Sequence, residues 1–76
     1  MKRVTLLLTG PLRDYAKSGE ITIEAADGAT FEDIAGSLGI PPDDITGFFI
    51  NGVRHLEYQV PADGDRIEVL PAILGG

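Results

Sequence analysis

Residues Thr30–Gly39, TFEDIAGSLG, carry the strongest helical signal in this sequence, and their reading decides the fold. Thr30 is a good N-cap, and Asp33 follows three residues later as a shorter version of the Glu found in a capping box. Phe31, Ile34, Ala35 and Leu38 fall at i, i+3, i+4 and i+7, which gathers the apolar side chains into one stripe and predicts packing against a sheet. Gly39 is placed to end the helix in the left-handed conformation, and Pro41-Pro42 keeps it from resuming. Gly36 weakens the middle of the helix.

Outward from this helix, the pattern changes from a period near 3.6 to a period of two. Upstream, Val4–Leu8 (VTLLL) is rich in strand formers and is stopped by Thr9, Gly10 and Pro11. Glu20–Ala25 (EITIEA) alternates, with Ile21, Ile23 and Ala25 on one face and Thr22 and Glu24 on the other. Between them PLRDYAKSG is too long for a tight hairpin and predicts a helical turn through Leu12–Ala16, broken by Gly19. Downstream, Gly47–Ile50 and Val53–Leu56 flank Asn51-Gly52, a dipeptide suited to a type I′ hairpin turn. The Ala62–Asp65 turn leads into Arg66–Leu70 (RIEVL), which directs Ile67 and Val69 inward and Arg66, Glu68 and Leu70 outward. Pro71 has no N–H for a ladder, so it is expected to end the pairing and release the residues beyond it as an arm.

The order is strand, strand, helix, strand, short strand, strand. Two hairpins joined by one crossover helix give an α+β, β-grasp (ubiquitin-like) fold, a mixed sheet packed against one main helix. The expected organisation is a single domain over residues 1–71 and a tail over residues 72–76, with no repeat or linker to mark a second domain.

Composition narrows the function classes. The 76 residues include no cysteine and one histidine, which removes thiolate catalysis and disulfides and leaves too few ligands for a usual metal site. A net charge of −6 opposes binding to a phosphate backbone, so no nucleic-acid partner is expected. Acidity serves solubility, and a basic protein surface is the sharper alternative. No stretch approaches the ~20 apolar residues of a membrane span, and the N-terminus lacks the pattern of a signal peptide. No membrane partner is expected, and the expected address is cytoplasmic.

Four segments in order, LLLTGPLRDYA, FFINGVRH, PADGDRIEVLP and the closing Gly75-Gly76, resemble the MoaD/ThiS family of ubiquitin-like sulfur carriers. The Gly10–Lys17 segment is closer to the molybdopterin synthase small subunit than to the thiamine carriers, which tend to be shorter there. The molybdopterin carriers usually end in two prolines and small residues before the glycines, whereas here Pro71 is followed by Ala72, Ile73 and Leu74. That departure leaves the receiving pathway open.

The resemblance implies that an E1-like adenylating enzyme (MoeB/ThiF-like) activates the carboxylate of Gly76 with ATP and that the adenylate becomes a thiocarboxylate. The sulfur would pass to a precursor in a molybdopterin synthase large subunit or another sulfur-accepting synthase. The residue types fit this chemistry on their own terms. A carboxylate with a pKa near ~3.5 is ionised and inert toward sulfur nucleophiles at neutral pH, so it must be activated first. Gly75 and Gly76, lacking Cβ, suit threading through a narrow channel. Leu70, Pro71, Ile73 and Leu74 are the expected partner interface, with fold-back of Ile73 or Leu74 onto the sheet as the alternative. Phe48 and Phe49 are adjacent, so only one can face the core; the other is expected either to join that interface or to be covered by a loop.

No bound cofactor, metal site or catalytic residue is expected in the chain itself. His55 has no base or nucleophile beside it, and Asp63 and Asp65 are explained by turn geometry. The remaining alternatives are a carrier for thiamine or another sulfur metabolite, a ubiquitin-like protein modifier, and a β-grasp interaction module whose tail is never activated. An independent enzyme is the least expected reading.

Overall fold

The computed structural model describes residues 1–72. Helix α1 spans Phe31–Ser37, and hydrogen bonds close both of its ends. At the start, the Thr30 hydroxyl accepts the Asp33 N–H at 3.1 Å and the Asp33 carboxylate accepts the Thr30 N–H at 3.0 Å. The shorter Asp therefore completes a reciprocal capping box. The N–H groups of Phe31 and Glu32 donate to the carbonyls of Gln59 and Glu57, each at 3.0 Å, which ties the 56–60 loop across the helix entrance. At the far end Gly39 has φ +81°. The N–H groups of Gly39 and Ile40 return to the carbonyls of Gly36 and Ala35 at 2.9 and 3.2 Å, a Schellman closure.

The strands are β1 (Lys2–Leu8), β2 (Glu20–Ala25), β3 (Ile45–Ile50), β4 (Val53–His55) and β5 (Arg66–Pro71). They form one sheet in the order β2-β1-β5-β3-β4. The β1–β5 pair is parallel and the other pairs are antiparallel. This is the expected α+β, β-grasp architecture, and it puts the last strand at the centre of the sheet. Asn51 and Gly52 have φ of 51° and 79°, as a type I′ turn requires.

Several boundaries differ from the sequence reading for local reasons. The helical turn is a 3-10 segment over Gly10–Tyr15, two residues earlier than expected, because Pro11 presets φ at its start. Strand β4 stops at His55, since the Leu56 N–H is taken by the Gln59 side chain at 2.7 Å. Strand β1 begins at Lys2, whose buried ammonium donates to the carbonyls of Asp27, Ala29 and Pro61 at 3.0, 2.7 and 2.8 Å. All three of its N–H donors have acceptors, which offsets the cost of burying a charge.

The core lies between the sheet and α1. Phe31, Ile34 and Ala35 from the helix meet Val4, Leu6 and Leu8 of β1, Ile67 and Val69 of β5, and Phe48 of β3, while Leu12 and Ile40 are also buried. Leu38, the last position of the stripe, is only partly buried. Phe48 is the aromatic that faces inward, with its ring 5.2 Å from that of Phe31. Phe49, half-buried, lies on the opposite face.

The expectation that Pro71 ends the pairing is corrected. Pro71 stands opposite Ile45 within β5, and the Ala72 N–H donates to the Asp44 carbonyl at 2.7 Å. Successive N–H groups of a strand point to opposite edges. Because that of Ala72 points to the β3 side, the donor missing at Pro71 falls on the β1 side, where β1 has already ended.

Candidate functional site: the exit of strand β5

The sheet face away from α1 divides into two ends with different chemistry. Around the start of β5 it is polar and self-paired: Arg66 reaches Glu20 at 2.9 Å, Arg3 reaches Glu24 at 3.4 Å, and the Thr5 and Thr22 hydroxyls are 2.8 Å apart. Near the exit of β5 lie three half-buried apolar residues, Leu7 of β1, Phe49 of β3 and Leu70 of β5. Gly47 stands opposite Leu70 in the register. A Cβ on Gly47 would lie 3.1 Å from the Phe49 ring, so the missing side chain lets that ring lie down over the sheet toward Leu70. The three apolar side chains surround the exposed Glu68, which stands opposite both Leu7 and Phe49, and they share one corner of the molecule with the end of the central strand.

At that corner the end of β5 is held by three contacts from two sides. β3 carries an extra residue, Thr46, between the pairs Ile45–Pro71 and Gly47–Leu70, making a β-bulge. The Thr46 hydroxyl donates to the Pro71 carbonyl at 3.0 Å, and Asp44 receives the next N–H as described. On the β1 side Gly10, with φ +56°, comes so near that a Cβ there would stand 3.3 Å from the Pro71 ring. A groove of about 310 Å³ runs alongside, lined by Pro11, Leu12, Asp14, Tyr15, Asp44, Pro71 and Ala72. Its rim is acidic through the exposed Asp14 and Asp44.

Elsewhere the chemistry-bearing side chains have structural duties. His55 stacks on Phe31 with centroids 5.4 Å apart. The Asp63 carboxylate accepts the Arg3 N–H at 2.7 Å and that of Asp65 accepts the Ala62 N–H at 2.8 Å, so both acids serve the turn. Thr30 hydrogen bonds hold the exposed Asp33 carboxyl below its ordinary pKa. No cluster of three or more metal-ligating side chains occurs among the described residues. No helix among them is long and apolar enough to cross a membrane.

The Mut7-C ubiquitin family matches residues 2–74, nearly the whole chain. The chain belongs to that family. No functionally curated protein matches it by sequence. Among solved structures it resembles small archaeal modifier protein 1 of Haloferax volcanii, with a TM-score of 0.77 and 19% identity over 96% of this chain and 100% of that one. It is equally similar to a Pyrococcus furiosus protein described as molybdopterin converting factor subunit 1, with TM-score 0.77, 19% identity and the same coverages. The ubiquitin of Caldiarchaeum subterraneum superposes with a TM-score of 0.63 at 17% identity, covering 99% of this chain and 98% of that one. The likeness to MoaD-type ubiquitin-like proteins drawn from the four sequence segments therefore holds at the level of the fold, which is β-grasp.

Of the residues expected at the site, Leu70 and Pro71 are half-buried at the exit corner. Ile73, Leu74, Gly75 and Gly76 lie outside the described residues, as does all of the expected 72–76 tail except Ala72. Of the two phenylalanines, Phe49 is the one at this corner, and the structure adds Leu7 and Thr46. Leu7 was legible by parity, since it alternates with the core positions Leu6 and Leu8 and so must face the other way. Thr46 carries no such signal, because a bulge is set by pairing across strands.

Proposed function

We propose that this chain is a sulfur carrier in which Gly76 bears the reactive carboxylate. The observation that carries this reading is the exit of β5: the central strand ends beside the half-buried apolar residues Leu7, Phe49 and Leu70, so a partner that docks on them also meets Pro71 and Ala72, the last residues before the segment that contains Gly75-Gly76. Docking by an apolar patch and insertion of an adjoining segment are then one event. In the partner, the Gly76 carboxylate oxygen attacks the α-phosphorus of ATP and displaces pyrophosphate. Hydrosulfide released by the sulfur donor then attacks the carbonyl carbon and expels AMP, leaving a thiocarboxylate. The chain supplies no catalytic group of its own, and ATP belongs to the E1-like partner.

The likeness to the Pyrococcus protein described as a molybdopterin converting factor subunit supports molybdopterin biosynthesis as the receiving pathway, with a synthase large subunit as the sulfur acceptor. A second reading, a protein modifier, is favoured by the likeness to the Haloferax modifier. There a lysine amine would attack the same adenylate and expel AMP to form an isopeptide bond. A cytoplasmic address fits both. The test is incubation with an E1-like adenylating enzyme from the same organism, ATP and a sulfur donor, followed by intact-mass analysis. Exchange of one oxygen for sulfur supports the carrier, adducts on lysines support the modifier, and an unchanged mass refutes both.

A further inference from the structure

The backbone approaching the proposed reactive residue is fixed by contacts that the docking strip does not explain. Thr46 is an exposed residue at a bulge, where its backbone is displaced from the regular ladder. Its hydroxyl, rather than a backbone N–H, holds the Pro71 carbonyl at 3.0 Å. One residue later the Ala72 N–H is held by the Asp44 carbonyl at 2.7 Å. Gly10 closes the other side against the Pro71 ring, and at φ +56° it tolerates no larger residue without strain. The two bonds come from Asp44, which immediately precedes β3, and Thr46 within it, so Pro71 and Ala72 are fastened to the start of the neighbouring strand.

We infer that Thr46 is a positioning residue for activation of Gly76, an inference that rests on the carrier reading above. It fixes Pro71 and, through it, Ala72, which precedes the reactive residue by four positions. Four residues fully extended span at most ~14 Å. An activating partner must therefore place its α-phosphate within that distance of Ala72 while its docking surface covers Leu7, Phe49 and Leu70. Without the Thr46 bond, Pro71 and Ala72 would take up more positions, and the carboxylate they lead to would be spread over a larger volume. The fraction of bound complexes with the carboxylate in line with the phosphate would fall. Apolar docking would be untouched, so the defect belongs in kcat and not in KM.

The experiment measures ATP–pyrophosphate exchange by an E1-like adenylating enzyme from the same organism, with the wild-type chain, Thr46→Val and Thr46→Ser as substrates. Val keeps the shape of Thr and removes the donor; Ser keeps the donor. Thr46→Val is expected to lower kcat by roughly three- to tenfold, the size of one hydrogen bond, with KM within about twofold, and Thr46→Ser is expected to restore the wild-type rate. Amide exchange at Ala72 should speed up in Thr46→Val alone. Insertion of one glycine after Ala72 lengthens the arm without touching the clamp, and it should lower kcat as well. Wild-type exchange with an equal kcat for Thr46→Val overturns this inference and leaves the carrier reading standing. Absence of exchange with the wild-type chain overturns both.

Discussion

Phe48 and Phe49 are neighbours in the chain and point to opposite faces of the sheet, Phe48 into the core against Phe31 and Phe49 onto the outer strip over Gly47. Truncating each to alanine should therefore give different results. Phe48→Ala opens a cavity in the core between the sheet and α1 and should cost roughly 3–5 kcal/mol. Phe49→Ala loses partial burial and should cost about 1 kcal/mol, but it should raise KM for the activating partner several-fold. Denaturant unfolding and steady-state activation of both variants test this. Equal destabilisation would contradict the assignment of faces.

Gly36, within α1, and Gly39, just past its end, should respond with opposite signs. Gly36 has ordinary helical dihedrals and no atom within 4 Å of an added Cβ, so Gly36→Ala should stabilise the domain by about 0.5–1 kcal/mol. Gly39 also has open space, yet its φ of +81° is costly for any residue with a Cβ, and Gly39→Ala should destabilise by about 1 kcal/mol. Thermal unfolding of the two variants decides the point, and a gain in both would refute the Schellman closure.

Lys2 and Lys17 are the two lysines of the chain, and they should differ in reactivity. Lys2 is 4% exposed with all three donors engaged, whereas Lys17 is exposed. Brief treatment with an amine-acylating reagent should modify Lys17 and leave Lys2 unlabelled until the protein is unfolded. Lys2→Ala strands three carbonyls and should cost roughly 2–3 kcal/mol. Rapid labelling of Lys2 in the folded protein, read by peptide mass mapping, would contradict its burial.

The helix cap should weaken in acid. Backbone and side-chain hydrogen bonds from Thr30 lower the folded-state pKa of Asp33. The stabilisation is therefore fully present above the unfolded-state value of ~3.9 and is lost as pH falls through the lowered folded value. Chemical-shift titration of Asp33 should show that midpoint displaced downward in the wild type, and Thr30→Ala should return it toward the ordinary carboxylate range. An unshifted wild-type midpoint would contradict the capping box.

Much of this fold was legible in the residues, and the reasons are local. The Thr30–Gly39 stripe, the Asn51-Gly52 turn and the Glu20–Ala25 alternation each state their geometry within a few positions. Lys2 was missed although its parity with Val4, Leu6 and Leu8 puts it on the core face. A charge there looks wrong until three carbonyls from distant loops are brought to it. Pro71 was misread because the cost of its missing donor depends on which strand lies beside it, and the sequence order does not show that β1 stops at Leu8. At the site, Leu70 and Pro71 could be read from their neighbours. The roles of Gly47, Phe49 and Thr46 arise from pairing between β3 and β5, about twenty residues apart in the chain, and no local pattern encodes them.

The central claim is that Gly76 carries sulfur, and the most direct measurement is the mass of the chain after reaction with its adenylating partner, ATP and a sulfur donor. Fragmentation must place the change on the C-terminal residue, so that oxidation of Met1 is not mistaken for it. The account predicts one oxygen replaced by sulfur at Gly76, absent without ATP and absent in a chain lacking Gly76. A Gly76 that keeps both oxygens while the partner turns over ATP would contradict it.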